Sequence, residues 1–557
     1  MALDLAEQHL AVTVPPEPAS DFPGGQPADI EPMRSFGDVP TNSVAFLPAV
    51  ALALKAKQFD DGLVAAVEAA LEAGWVHEGG KPAFLGRVLR ALQRETAGET
   101  ATLVGASLWA RGRPDLVPGD LEEPVRNILA GRAEHERVPL GMYTWGETLQ
   151  RVYLGDKLLQ RDLTAQDELP AVARALARDE DLGRAYSSLL SLAEGLTNRL
   201  AAGDLREMVA DLQAGREPRT PSGRVALHPA SRSVESDLIA RLFGAKPVPD
   251  GFELSAEIVE RIRSRRLRLE PKPDSGWYDW QLHALEAILL APEMEEGTRV
   301  RFDDEYRREI EGLFKALYGL TRETHVKQLE IVLAGARAAD LGRRTLLGVP
   351  MLLDLEPLVT YYERRAASYR FVRGVLEAAL GEAFLEDVAR ITSDGPVNMP
   401  LAMELSLLED LFQGAAHRAR RLLGLPVAEP RWSQEAVLQA WRMNLDEDPD
   451  LGRDIRMMVP VFYDMMRGKY RVWAVLGLGS RPIEVAYQRP PRVASISRDG
   501  RAVDRDSFWI VFERIRVDLP YLISAELWTD RLLDRPTFQA LCDEARTVAG
   551  VLSRFEE

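Results

Sequence analysis

Residues 49 to 71 read AVALALKAKQFDDGLVAAVEAAL, and the fold class turns on them. Leu63, Val67, Ala70 and Leu71 recur at three- and four-residue spacing, the period of one helix face. Phe84, Val88, Leu89 and Leu92 repeat the pattern, and Ala- and Leu-rich helices continue to about Leu212, broken by Gly and Pro at 112–118 and 139–141. Upstream, the Pro- and Gly-rich tract with Pro15-Pro16 and Pro23-Gly24-Gly25-Gln26-Pro27 reads as an extended arm. Downstream, Pro218, Pro221, Gly223 and Pro229 mark a linker. Helical patterns resume at 255–267, 279–290, 303–318, 325–339, 358–380 and 401–423. Beyond Asp454, residues 459–463, 470–476, 483–487 and 508–512 are β-branched and aromatic. Met466-Arg467-Gly468-Lys469 reads as a hairpin loop, Gly477-Leu-Gly479-Ser480 as a turn, and 537–555 as a closing helix. The expectation is a mainly α protein: a two-lobed multi-helix body with a small antiparallel β-element near the C-terminus. Its parts are an arm (1–45), an N-terminal helical lobe (46–214), a linker (215–236), a second helical lobe (237–454) and the β-element with its closing helix (455–557).

Composition narrows the function classes. Of 557 residues, 69 are Lys or Arg and 86 are Asp or Glu, a net charge of −17 that argues against a nucleic-acid partner. Hydrophobic residues reach 46%, enough for real cores, yet no 20-residue apolar run offers a transmembrane segment. One cysteine, Cys542, excludes an intrachain disulfide and a thiolate zinc cluster. The seven histidines are too dispersed for a His-x-x-x-His helix. The preference for Arg over Lys fits a GC-rich genome or a warm habitat. The N-terminus lacks the basic and apolar regions of a secretory signal, so a soluble, cytoplasmic location is expected as the sequence stands, with export left open for a form whose signal has been removed.

Four stretches carry candidate chemistry. In Trp277-Tyr278-Asp279-Trp280-Gln281-Leu282-His283, the residues Asp279, His283 and Glu286 share a helix face, as a proton shuttle or metal site would require. Ion pairing at the edge of the apolar stripe Tyr278, Leu282, Leu285, Leu289 is the simpler reading. Trp277 and Trp280 could stack on sugar rings, although core packing explains them as well. Thr321-Arg322-Glu323-Thr324-His325 reads first as a cap between two helices. The acidic run from Asn444 to Asp454 fails the EF-hand template, with Leu451 at position six and Met457 at position twelve, and reads as a solvated turn. The Arg261, Arg263, Arg265, Arg266, Arg268 run suits pairing with Glu257 and Glu260 better than an anionic partner. No P-loop, hydrolase elbow or dinucleotide fingerprint occurs.

Three further segments, in order, resemble a family of large, mostly helical bacterial and archaeal proteins, often exported and without a known activity. They are Gly141-Met-Tyr143-Thr144-Trp-Gly-Glu147-Thr-Leu149-Gln-Arg151-Val-Tyr153, Leu320-Thr-Arg322-Glu-Thr-His325-Val-Lys327-Gln328, and Glu356-Pro357 followed by Tyr362 and Arg364. The resemblance covers the chain from about Thr41. It departs from the family near Thr41-Asn-Ser-Val44, where Phe46-Leu47-Pro48 stands in place of nearby histidines. The resemblance implies a fold type, and it singles out Tyr143, Arg322, His325, Glu356, Tyr362 and Arg364 as a shared polar cluster.

The leading expectation is a binding or scaffold module for a protein or polymer partner, needing no cofactor, its oligomeric state open and its arm laid on the body or on a second subunit. The rival is a helical-fold hydrolase of carbohydrate or cell-envelope polymer. There Asp279, Glu286 and Glu323 supply acid and base across roughly 5 to 9.5 Å, tuned by His283 or His325. A third reading is a metal-dependent regulator that uses His283 and His325 as ligands.

Overall fold

In the computed structural model the opening stretch forms one helix, α1 (Ala49–Ala73), closed by Gly74 at φ +124°. Every residue of α1 from Ala49 to Val67 except the half-buried Lys55 is buried, as its largely apolar composition requires. The described residues are 12–13, 30–39, 47–75, 79–95, 97–164, 166–244, 246, 248–249, 251–290, 304–334, 355–423, 425–427, 432–488, 492–498, 501–509 and 512–556.

After the short strand β1 (Val12–Thr13), α1 is followed by α2 (Gly80–Arg94), α3 (Gly98–Ala110), α4 (Glu122–Ala130), α5 (Glu134–Arg137), α6 (Glu147–Leu159), α7 (Leu169–Ala177), α8 (Glu180–Leu196) and α9 (Arg206–Gln213). Then come α10 (Val234–Leu242), α11 (Leu254–Arg263), α12 (Trp277–Leu290), α13 (Asp304–Thr324) and the strand β2 (Val332–Ala334). The long helices α14 (Val359–Leu380) and α16 (Leu401–Leu423) pack together, with α15 (Glu382–Asp387), the hairpin β3 (Ala389–Thr392) and β4 (Gly395–Pro400), and α17 (Trp432–Met443) around them. The C-terminal part holds β5 (Met457–Asp464), β6 (Lys469–Gln488), β7 (Arg492–Arg498), β8 (Arg501–Trp509), β9 (Phe512–Thr529), α18 (Arg535–Ala545) and α19 (Val548–Glu556). The protein is mainly α, with its β-structure concentrated near the C-terminus.

Among the described residues the hydrophobic interior falls into two clusters. One runs from Phe84 to Leu227. The other gathers α1, the segment around Leu140–Tyr153, and the buried residues of the second half of the chain. In the main sheet β6 pairs antiparallel with both β5 and β9, while β2 joins the far side of β5 in parallel, Val332 opposite Phe462. β7 and β8 form a separate antiparallel hairpin.

The described part of the N-terminal arm lies on this body. Met33 bridges Leu478 of β6, the Arg34 carbonyl accepts from the Ile455 amide at 3.0 Å, and the Ile30 carbonyl accepts from Val548 at 3.0 Å. Phe36 and Val39 are buried in the larger core.

Three local expectations change. Gly477 to Ser480 is strand interior, not a turn: Gly477 sits at a register shift with φ +136°, and a Cβ there would stand 2.3 Å from the Met33 carbonyl oxygen. These glycines admit neighbours, so 470–476 and 483–487 belong to one strand. The second helix expected from His325 is replaced by tight turns, with Val326 N donating to the Glu323 carbonyl at 3.1 Å, and then by β2; residues 335–339 of that expectation lie outside the described set. Thr324 therefore caps nothing. It ends α13 and turns its hydroxyl to the core. The region 215–236 is not a bare linker, since Val225, Ala226 and Leu227 are buried and Ser231 bridges Leu329.

Candidate functional site

The middle of α1 carries Lys57, Gln58, Asp60 and Asp61 inside the enclosed, largely apolar part of the helix. Charges so placed need partners, because burying an unpaired ion is costly. Lys57 Nζ meets Asp61 Oδ1 one turn on at 2.6 Å, Glu323 Oε2 at 2.9 Å and Thr324 Oγ1 at 2.9 Å. The Thr324 hydroxyl donates to Asp61 Oδ1 at 2.6 Å. From the far end of the chain, Arg535 of α18 donates to Glu323 Oε2 at 2.9 Å. Two cations and two carboxylates thus balance across α1, α13 and α18.

Asp60 faces α12 and α14. It pairs with Arg365 and accepts from Tyr369 Oη at 3.1 Å and Gln281 Nε2 at 2.9 Å. Burial pushes its carboxyl up to about 6, with Arg365 opposing the rise. Gln281 presents its oxygen to His325 Nε2 at 2.7 Å, so that nitrogen carries the hydrogen, and Nδ1 faces the Thr197 hydroxyl at 3.5 Å. Burial, aided by Lys57 and Arg365, pushes His325 down to about 3 and keeps it neutral. Trp277 and Tyr278 pack edge-on against its ring. A cavity of about 20 Å³ opens beside Lys57, Asp60, Gln281, Thr321, Tyr361 and Arg365, room for about one water.

A second hub centres on Asp156 of α6. Its carboxylate meets Lys81 Nζ and Lys327 Nζ at 2.6 Å each, and Arg111 as well. Burial alone would raise this carboxyl, but Lys327, Lys81 and Arg111 outweigh it and hold it well below its ordinary value. Lys327 also pairs with Glu68, which accepts from Tyr143 Oη at 3.3 Å, and Arg111 pairs with Glu72. Lys157 donates to the Lys327 carbonyl at 2.6 Å and to Gln160 at 3.0 Å. Burial and the nearby Lys327 push its amine down to about 7. Arg322 forms a third node. It pairs with Glu235, which also accepts from Tyr278 and Tyr318 at 2.9 Å each, and donates to the Pro460 carbonyl at 3.0 Å, tying α13 to β5.

The helix-face trio of α12 is divided. Asp279 accepts from Asn198 Nδ2 at 2.6 Å and from Ser275, and burial raises its carboxyl. His283 stays with Glu286, Nδ1 to Oε2 at 3.6 Å. Glu286 also accepts from the Leu269 amide at 2.9 Å and Arg364 at 3.0 Å, while Arg364 reaches the His283 carbonyl at 2.8 Å. Burial would raise Glu286, yet His283, the Leu269 amide and Arg364 together hold it below its ordinary value. Glu323 belongs to the Lys57 node instead. Glu356 accepts from the Ala49 amide at 2.6 Å, at the first turn of α1, and Tyr362 donates to the Glu356 carbonyl at 2.9 Å.

Among the described residues no three His, Cys, Asp or Glu side chains gather as a metal set, and His283 and His325 have separate partners. Trp277 is fully buried and Trp280 stacks on Phe371 at 5.1 Å, so core packing accounts for both. Of the family-like residues, Tyr143 belongs to the Asp156 hub, Arg322 holds Glu235, His325 joins Asp60 through Gln281, and Arg364 holds Glu286; they share an interior and not one cluster. Asp450 of the acidic run is bound by Arg390 and Lys55. In the arginine run Arg261, Arg263 and Arg266 pair with Glu257, Glu311 and Glu260. The residues that sequence reading missed are Lys57, Asp60, Asp61, Lys81, Asp156, Arg365 and Arg535. For the first three the available signal was charge inside an Ala-rich helix that has no polar face.

On the surface, α14 and α16 frame a groove of about 400 Å³. Glu363, Arg370, Gln413, His417 and Arg420 line it, with Val427 beyond α16. Comparison with protein-family models, curated proteins and solved structures finds no match for this chain.

Proposed function

We propose that the chain is a binding or scaffold protein whose interior ion network fixes a rigid surface for a partner. One observation carries the reading. The carboxylates offered for acid–base work already have fixed partners inside the body: Glu323 and Glu286 are 1% and 4% exposed, each beside a guanidinium. A glycosidase instead needs two carboxyl groups facing one open cleft with a sugar between them. The open groove between α14 and α16 has the volume of a ligand site, and its guanidiniums and imidazole offer polar anchors around an apolar floor.

The test incubates the purified full chain with a panel of glycans and cell-envelope polymers while reducing ends and chain length are followed. No cleavage is expected. In parallel, a screen of peptides and oligosaccharides by thermal shift is expected to yield a stabilising ligand whose effect Arg370→Glu or Arg420→Glu abolishes. Cleavage lost in Glu286→Gln or Glu323→Gln would overturn the proposal.

A further inference from the structure

Successive residues of α14 serve two faces. Arg365 and Tyr369, one turn apart, are buried against the body, and the residue after each, Ala366 and Arg370, lines the groove between α14 and α16. The buried pair converges on a single group. Asp60 Oδ2 pairs with Arg365 and accepts from Gln281 Nε2 of α12 at 2.9 Å, while Oδ1 accepts from Tyr369 Oη at 3.1 Å. Tyr369 carries this hold to the facing helix. Its ring meets that of Phe412 at 5.9 Å, and Gln413 and Ala416, close to Phe412 on α16, line the other side of the groove. One carboxylate thus stands behind both walls.

The grip depends on charge. Among the described residues no other carboxylate pairs with Arg365, whose guanidinium otherwise meets Ser368 Oγ at 3.1 Å and the Tyr369 hydroxyl at 3.0 Å. A proton on Asp60 leaves that buried cation without its counter-ion, a cost large enough to move it. Space adjoins the pair, because the cavity of about 20 Å³ borders Asp60, Gln281, Tyr361 and Arg365. The other titratable groups facing Asp60 are Lys57 and Asp61 of α1, which pair with each other, and Tyr361 and Tyr369 of α14. Beyond Gln281 of α12 lies His325, which burial keeps neutral. Burial raises the Asp60 carboxyl to about 6 against the pull of Arg365, with Asp61 adding to the rise. An unfolded chain releases this proton near 3.8, so falling pH in the window between favours the folded chain at Asp60, and what loosens is one joint within an intact body.

We infer that Asp60 is a proton-operated positioning residue for the groove: ionised, it holds the α14 wall through Arg365 and Tyr369, and protonated, it lets the turn from Arg365 to Arg370 shift and change the width of the groove. The device rests on the proposed role of the groove as the ligand site. Its movement is measured without a ligand, so a failed ligand screen and a rigid α14 are separate results.

The full chain, isotope-labelled and free of ligand, is titrated from pH 8 to 5 by TROSY NMR. The Ala366 and Arg370 amides are expected to shift with one midpoint near 6, shared with the Asp60 carboxyl carbon. In Asp60→Asn, which keeps the shape of the side chain without its charge, both amides are expected to stay at their acidic positions throughout. If that variant does not fold, His417→Gln serves as the control, since it removes the imidazole that lines the groove; the wild-type midpoint should remain. Amide shifts that persist in Asp60→Asn, or that vanish in His417→Gln, would overturn the inference. So would an Asp60 midpoint at the ordinary value of 3.8, or α14 amides that do not follow the Asp60 carboxyl.

Discussion

Replacing Asp156 with asparagine keeps the shape of the side chain and removes its charge. Three cations converge on this one fully buried carboxylate, with Lys81 and Lys327 at 2.6 Å and Arg111 beside them. In Asp156→Asn their remaining carboxylates are Glu68 and Glu72. Removing one partner of a buried ion pair typically costs about 3–5 kcal/mol, because the other charge is left uncompensated. Here three charges lose a partner, so a loss of at least about 4 kcal/mol is expected, against a total stability on the order of 5–15 kcal/mol. That loss is roughly a thousandfold in the folded-to-unfolded ratio. Urea unfolding followed in parallel by tryptophan fluorescence and far-UV circular dichroism measures it, two probes being needed because a chain of this size need not unfold in one step. Lys81→Met added to Asp156→Asn should recover part of the loss, since it removes one orphaned charge. A change within about 0.5 kcal/mol, the range of an ordinary surface substitution, would refute the reasoning.

Other outcomes follow from the same geometry. Burial pushes His325 and His228 down to about 3 and His135 to about 4, so each is neutral when folded and takes up a proton more readily when unfolded. Their contribution is therefore complete above the ordinary histidine value and is lost as pH falls from about 6.5 toward those lower values; thermal melts between pH 7 and 4 should show the decline, with a shallower slope in His325→Gln. Glu356→Ala removes the side chain that receives the first amide of α1 and should cost about 1–2 kcal/mol in the same urea assay. Gly477→Val places side-chain atoms against the Met33 carbonyl and should lift the arm from β6, read as faster proteolysis at residues 30–39.

The helices were legible because their apolar residues keep the 3.6 period over long stretches, and the 466–469 loop was legible because Gly468 closes a short link between β5 and β6. The continuity of β6 was not. Gly477 and Gly479 carry a turn signature, yet they serve close approach, to the Met33 carbonyl and to the Tyr521 ring. Arg322, Glu323 and His325 stood out because they are adjacent in sequence, but each turned to a different partner. Asp60 and Arg365, 305 residues apart, and Ala49 and Glu356, 307 apart, meet only through tertiary packing, and spacing along a single chain holds no trace of such pairs. Charges within α1 were hidden for a related reason. Apolar periodicity identifies the helix and says nothing of a polar node enclosed by other elements.

Asp61, Asp156 and Glu323 form a framework sealed inside the body. Carbodiimide labelling of the native chain with a small amine, read residue by residue by mass spectrometry, tests this most directly. Asp61, Asp156 and Glu323 should stay unlabelled while exposed Glu147 and Glu180 react readily, and all five should react once the chain is unfolded. Labelling of Glu323 or Asp156 in the native state at the rate of Glu147 would contradict the account.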